Sequence, residues 1–480
     1  MSTPFNGRIA IVDDNFEQAA PLMDLFGKLQ YPYLYYRGND LSSLPDAGKA
    51  WNDIRILFLD IFLTGDTVTS DSEKRIRSVL IGTVSRIISD TNYPYLLIYW
   101  SRHETDYGKI VEDVFDKELK AKAPIDILSV QKADYFDLGG NRTANYDTRI
   151  GDLFRRISDT ISKHPVFDYL LEWENHVHQS AGGSLQKVFG LSDRTSDWDQ
   201  NSQFLFYRLS RSYSGKNFDA LDSAQQTRNG LFTLNSVFND ELEHSLVSKL
   251  QCNTGNKLSD GKADDPDVVY KVNTKLIFAD PLTDKVSPGT VTVSSPLHHD
   301  YSRLLHSVIN RVSVFSIDDH KKRIEDKLSG LKDQESIEKA KRKELKAILK
   351  EFKNEIDASS LPIEVNVTPV CDHAQLKVEY ARLVPGFIVP LQYKSFIDSR
   401  TEAVFVTPDF YLDLKRGRHV LKGVYFLLVD FRFFTSVGED ELSKSVTPIL
   451  RLRLQVLSEI QSKLSRHVNR QGILSVDVTV

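Results

Sequence analysis

The 480-residue sequence predicts an α/β N-terminal region built on a doubly wound parallel five-stranded sheet, then a helical region, then an α+β C-terminal domain. Three observations predict it. Between residues 8 and 164, short apolar runs alternate with amphipathic stretches in the order β-α-β-α-β-α-β-α-β-α. Runs that are apolar at successive positions belong to strands buried on both faces, so helices must cover both sides of the sheet. From 165 to 250 the pattern is helical and aromatic-rich, and beyond 268 alternating Val- and Thr-containing runs return among helical ones. The expected boundaries are 1–164, 165–250 and 251–480, the last with a charged helical insertion at 319–356.

In order, RIAIVD (8–13) is the first strand, NFEQAAPLMDLFGKLQ a helix and PYLYYRG the second strand. DIRILFLDIF is the third strand. Residues 68–90 then place Ile76, Leu80, Val84, Ile87 and Ile88 at helical spacing. YPYLLIYWS is the fourth strand, HETDYGKIVEDVFDKELKAKA a helix, PIDILSVQK the fifth strand and TRIGDLFRRISDTISK the closing helix. In the second half, VVYKVNTKLIF and GTVTVSS read as strands around a turn at Pro288-Gly289, and 300–316 as helix. Residues 319–356 carry a narrow apolar seam (Ile324, Leu328, Ile348 and Phe352 among others). They read as one or two exposed helices, with Gly330 as the break. Residues 361–435 return to strands, and TPILRLRLQVLSEIQSKLSRHVNR reads as a final helix.

Composition narrows the function classes. The chain has 61 Lys+Arg against 66 Asp+Glu, a formal net charge of −5. That excludes a globally basic nucleic-acid coat, and overall charge gives nucleic acid no support as a partner. The two cysteines, Cys252 and Cys371, exclude a disulfide framework and a four-Cys zinc module, and fit a reducing, cytoplasmic setting. The start lacks a basic segment followed by an apolar one, so no secretory signal is expected. The longest apolar run, GVYFLLVDF, is broken by Asp430 and is too short to cross a bilayer, so no membrane insertion is expected.

In a doubly wound sheet, ligands bind beyond the carboxyl ends of the strands. The first strand ends in Asp13-Asp14, the third in Asp60, the fourth in Ser101 and the fifth in Lys132. Three carboxylates packed together repel one another unless a cation lies between them, and an all-oxygen set of this kind suits Mg²⁺. A hydroxyl and an ammonium beside them suit a phosphoryl oxygen. Residues 1–140 hold 15 Lys+Arg and 21 Asp+Glu, a local net of −6, which agrees with an acidic pocket there and equally with a solvated acidic face.

On these residues, the stretch 8–140 resembles the receiver domain of response regulators. The matching features are the acid pair in IVDD, Asp60 in ILFLDIF, Ser101 in LLIYWS and Lys132 in ILSVQK. The resemblance implies a flavodoxin-like fold. It also implies Mg²⁺ held by Asp14, Asp60 and a carbonyl near Phe62, with Asp13 supporting the metal's water shell. Asp60 would then be the phosphoryl acceptor from a histidine kinase or small phosphodonor, Ser101 the switching hydroxyl and Lys132 the phosphoryl partner. The sequence departs from the family pattern where Arg102 follows the hydroxyl residue, Ala133 follows the lysine and Val130 replaces an aromatic. Arg102 would cover the pocket or supply a second phosphate ligand. The expected function is signal transduction, with phosphorylation of Asp60 regulating an unrecognised C-terminal output.

Two alternatives stand beside it. One is a non-phosphorylated receiver-like adaptor in a multi-protein assembly, of the kind met in anti-phage defence operons. The other is a C-terminal effector enzyme or nucleic-acid binder. For the latter, Cys371 and His373 in TPVCDHAQ would share one face of an extended chain, although a half-buried thiol beside a turn is the simpler reading. His298-His299-Asp300 reads as a helix entry, and the basic group Lys463, Arg466, His467 and Arg470 as a helix C-terminus closed at Gly472. Neither G-x-x-x-x-G-K-[ST] nor G-x-G-x-x-G occurs, which leaves nucleotide hydrolysis without a motif.

Overall fold

The computed structural model describes residues 8–38, 41–60, 70–102, 104–137, 141–191, 197–250, 265–280, 286–293, 300–416, 419–445 and 447–469. Cys252, the carbonyl near Phe62, His298-His299, Arg470 and Gly472 lie outside the described residues. The chain divides into two compact units, Met1–Arg208 with Leu231–Ser259, and Leu209–Gly230 with Asp260–Val480.

The first unit runs β1 (Arg8–Asp13), α1 (Phe16–Lys28), β2 (Tyr33–Arg37), β3 (Ile54–Leu59), α2 (Ser70–Ile87), β4 (Leu96–Ser101), α3 (Glu104–Lys117), β5 (Asp126–Gln131), α4 (Tyr146–Ser162) and α5 (Pro165–Phe189). The five strands are parallel in the order β2-β1-β3-β4-β5. Strand alternation sends Ile9, Ile11, Ile56, Phe58, Ile98 and Trp100 to one face, where α1, α4 and α5 cover them. Ala10, Val12, Leu57, Leu59, Leu97 and Tyr99 go to the other, under α2 and α3. This double covering is why the strands read as unbroken apolar runs. The helical region continues with α6 (Trp198–Ser214) and α7 (Ser223–Lys249).

The second unit continues with α8 (Val268–Ile277), β6 (Phe278–Ala279), β7 (Thr290–Val293), α9 (Tyr301–Ser307), α10 (Arg311–Phe315), α11 (Asp318–Leu328), α12 (Gln334–Ser359), β8 (Leu361–Asn366) and α13 (Val370–Ala374). It closes with β9 (Tyr380–Pro390), β10 (Val404–Val406), β11 (Phe410–Arg416), β12 (His419–Asp430), β13 (Thr435–Gly438), α14 (Glu439–Ser445), β14 (Pro448–Leu452) and α15 (Leu454–Val468). Its nine strands form an antiparallel sheet ordered β10-β12-β9-β8-β7-β14-β6, with β11 on β12 and β13 on β9. Ile363, Val365, Leu427 and Val429 face α15, while Phe387, Val389, Phe426 and Leu428 face α9, α10 and α12. The β9–β12 contact needs a glycine: a Cβ on Gly386 would lie 2.3 Å from the Leu428 carbonyl oxygen.

Three local expectations are corrected. Residues 268–277 are helical despite five β-branched side chains, because Asn273 and Thr274 donate to the carbonyls of Asp409 and Tyr411 and so fix the helix on β11. Residues 448–452 are a strand held between β7 and β6, and the helix starts only at Leu454. TPVCDHAQ leaves its strand through the short helix α13 rather than as an extended chain. The break at Gly330 stands: its φ is +90°, a conformation open to glycine at little cost.

Candidate functional site

The site lies at the carboxyl edge of the parallel sheet, where the ladder places its members. Val12 pairs with Leu59, so Asp13 and Asp60 emerge side by side, and the Asp60 N–H extends the ladder to the Val12 carbonyl at 2.8 Å. Leu59 pairs with Tyr99 and Ser101 with Gln131, so Ser101 and Lys132 emerge at the same edge. Lys132 opens a 3-10 turn, Lys132–Asp134.

Lys132 is fully buried. Its Nζ bridges Asp13 Oδ2 and Asp60 Oδ2, the latter at 2.8 Å. Asp13 is buried as well, and Asp60 is 5 % exposed. Asp14 is half-buried, and one oxygen from each of the three carboxylates lies within 4.8 Å of the others. Among the described residues this is the one group of three or more His, Cys, Asp or Glu that could share a metal ion. Two oxygens on one Mg²⁺ can be at most about 4.2 Å apart, so small side-chain rotations bring the set into range. Three carboxylates with one ammonium leave two negative charges, which one divalent cation neutralises.

Burial dominates the electrostatics. Desolvation raises the Asp13 carboxyl to about 6; Lys132 opposes the rise and Asp60 adds to it. Asp14 is raised by burial and then by Asp60. Burial works against the charge on Lys132, but Asp60 and Asp13 outweigh it and hold its pKa above the ordinary lysine value.

Two contributors escaped the sequence reading. Asn15 caps α1 by accepting from the N–H groups of Glu17 and Gln18, and its own N–H donates to Asp13 Oδ1 at 2.9 Å. The signal was an Asx residue immediately before a helix. Tyr35 donates to the Asp13 carbonyl at 3.2 Å, a contact that depends on strand register and has no motif. Arg102 is half-buried and donates to the carbonyls of Phe136 (2.8 Å) and Asp137. It therefore ties the end of β4 to the segment after β5.

The second candidate pair does not converge. Cys371 is exposed and its Sγ lies 3.6 Å from Asp372 Oδ1. Two positions apart on a helix is about 200° of rotation, so His373 points to another side of α13. The neighbouring polar cavity of about 360 Å³ is lined by Thr368, Asp372, Lys377, Tyr380 and Arg382 among others, not by Cys371 or His373. His176 is buried: its Nδ1 lies 2.6 Å from Ser245 Oγ, and its Nε2 lies 3.3 Å from Glu172, a polar tie between α5 and α7. No described helix is long and apolar enough to cross a membrane. No protein-family model matches the chain, and no curated protein matches it.

Proposed function

We propose that residues 8–140 form a receiver-like phospho-acceptor module in a signalling protein, with Asp60 as the acceptor. What carries the reading is Lys132, a buried ammonium shared between Asp13 and Asp60 beside a third carboxylate. Asp14 and Asp60 would hold Mg²⁺ directly. Asp13, whose Oδ1 and Oδ2 already accept from Asn15 and Lys132, would support the metal's water shell. Bound Mg²⁺ supplies positive charge to the phosphoryl oxygens. An Asp60 carboxylate oxygen attacks the phosphorus of a phosphohistidine from a histidine kinase, or of acetyl phosphate. The P–N bond or the P–O bond to acetate breaks as the new P–O bond forms, and imidazole or acetate leaves. Lys132 then shifts from Asp60 to the phosphoryl oxygen, and Ser101 donates its hydroxyl to the same group. The altered edge regulates the C-terminal output, in a cytoplasmic setting.

The test is labelling of the full chain by acetyl phosphate in Mg²⁺. Asp60→Asn abolishes it, and labelling that persists removes Asp60 from the role. A second reading is favoured by Arg102, whose bonds to two carbonyls restrain the segment a switch must move. On that reading the chain is a non-phosphorylated adaptor in a multi-protein assembly. An adaptor shows neither labelling nor a Mg²⁺-dependent change in Trp100 fluorescence. Trp100 is a suitable reporter because it lies buried one residue before Ser101, against Phe58 and Tyr135.

A further inference from the structure

We propose that the exposed face of α12 binds the backbone of double-stranded DNA through a stripe of six basic side chains. The proposal rests on the second unit alone and is independent of Asp60. Lys339, Arg342, Lys343, Lys346, Lys350 and Lys353 recur at i, i+3, i+4, i+7, i+11 and i+14. At 3.6 residues per turn they occupy an arc of about 100°, and at 1.5 Å per residue they run for about 21 Å. The first five are exposed and Lys353 is half-buried. The opposite face is anchored: Ile348, Phe352 and Ile356 are buried in the core with Phe387, Val389 and Phe426. The stripe is therefore presented by a helix fixed in place.

Four of the acids of α12 are engaged elsewhere. Glu344 and Glu351 both pair with Arg323 of α11. Glu355 accepts from the Tyr393 hydroxyl at 2.8 Å, and Asp357 lies 2.9 Å from His306. Only Arg342 of the stripe has a carboxylate, Glu338 at 3.0 Å, and the five lysines have no ion pair among the described residues. Like charges three and four positions apart repel; Glu335 and Asp357 lie on the same arc and offset part of the six positive charges, which leaves the face net positive, so a polyanion is the complementary occupant. The whole-chain charge of −5 does not oppose this, because association follows the local field.

The chemistry of the stripe selects among polyanions. It contains no aromatic residue, so it offers no stacking platform for single strands. It contains no apolar residue, so nothing inserts into a lipid surface. Lysines at regular intervals match regularly spaced phosphates, and the wide major groove of B-form DNA admits a helix where the narrow one of A-form RNA does not. Phosphate contacts alone make the binding indifferent to sequence.

The test uses the full chain and a short fluorescein-labelled DNA duplex, followed by anisotropy between 50 and 200 mM NaCl. Five or six contacts give a log–log salt slope of about −4.5 to −5.4. Replacing Lys339, Lys343, Lys346 and Lys350 together by Gln is expected to flatten that slope by about 3.6 and to weaken binding at least tenfold. The same four positions changed to Arg keep the binding, which separates lost charge from a disturbed helix. Unchanged binding by the Gln variant overturns the proposal. So does wild-type protein that fails to bind the duplex, or that prefers a single strand, an RNA duplex or phosphatidylserine vesicles.

Discussion

Lysine is used in opposite ways in the two units. At the edge of the parallel sheet one lysine is buried, bonded to two carboxylates and held charged by them. On α12 a row of lysines, exposed except for half-buried Lys353, has no ion pair among the described residues. Buried charge is expensive unless compensated, so Lys132 is part of what holds its surroundings together. Exposed charge is hydrated and adds little to folding, so the row on α12 is free to serve an external ligand.

The largest expected effect breaks the buried side of that contrast. Lys132→Ala leaves Asp13 and Asp60 facing each other in a dry site and is expected to cost about 3–5 kcal/mol in urea unfolding. Millimolar Mg²⁺ should restore part of the loss, since the cation replaces the missing positive charge. Truncating the support beneath the exposed row comes next. Ile348→Ala removes a side chain that is 1 % exposed and is expected to cost about 2–4 kcal/mol by the same measurement.

A pH series sharpens the comparison. The Asp13 carboxyl is raised above its ordinary value to about 6, so its protonated form is favoured by folding. In metal-free protein its contribution to stability is present below the ordinary carboxyl value and is lost as pH rises through about 6. The melting temperature of wild type minus that of Asp13→Asn should therefore fall between about pH 4 and 6.5. Mg²⁺ binding needs the ionised carboxylates, so its affinity should move the other way and weaken below about pH 6. Mg²⁺ binding indifferent to pH over that range would separate the metal from Asp13. The smallest effect is on the exposed side: Lys343→Gln should change unfolding stability by less than about 0.5 kcal/mol.

The contrast also marks how far the chain alone could be read. Burial on both faces makes parallel strands into continuous apolar runs, so β1, β3, β4 and β5, and the acids, hydroxyl and lysine at their ends, were legible from residue order. The helix pair at 318–359 and its break at Gly330 were legible for a similar local reason. Elements whose local preference is weak were not legible. Val268–Ile277 carries strand-forming side chains but is held as helix by β11, and Pro448–Leu452 becomes a strand because β7 and β6 offer their edges.

Sequence by itself determined which residue types stand at the ends of the first unit's strands, since covalent order and side-chain alternation set them. It also determined the spacing of the α12 lysines, since helical period acts over a few residues. Only the tertiary structure decided that Lys132 divides itself between Asp13 and Asp60, that Tyr35 reaches Asp13, that Cys371 and His373 part company, and that Arg323 engages Glu344 and Glu351 of α12. Each of those outcomes depends on distances between segments far apart in the chain, and packing sets those distances.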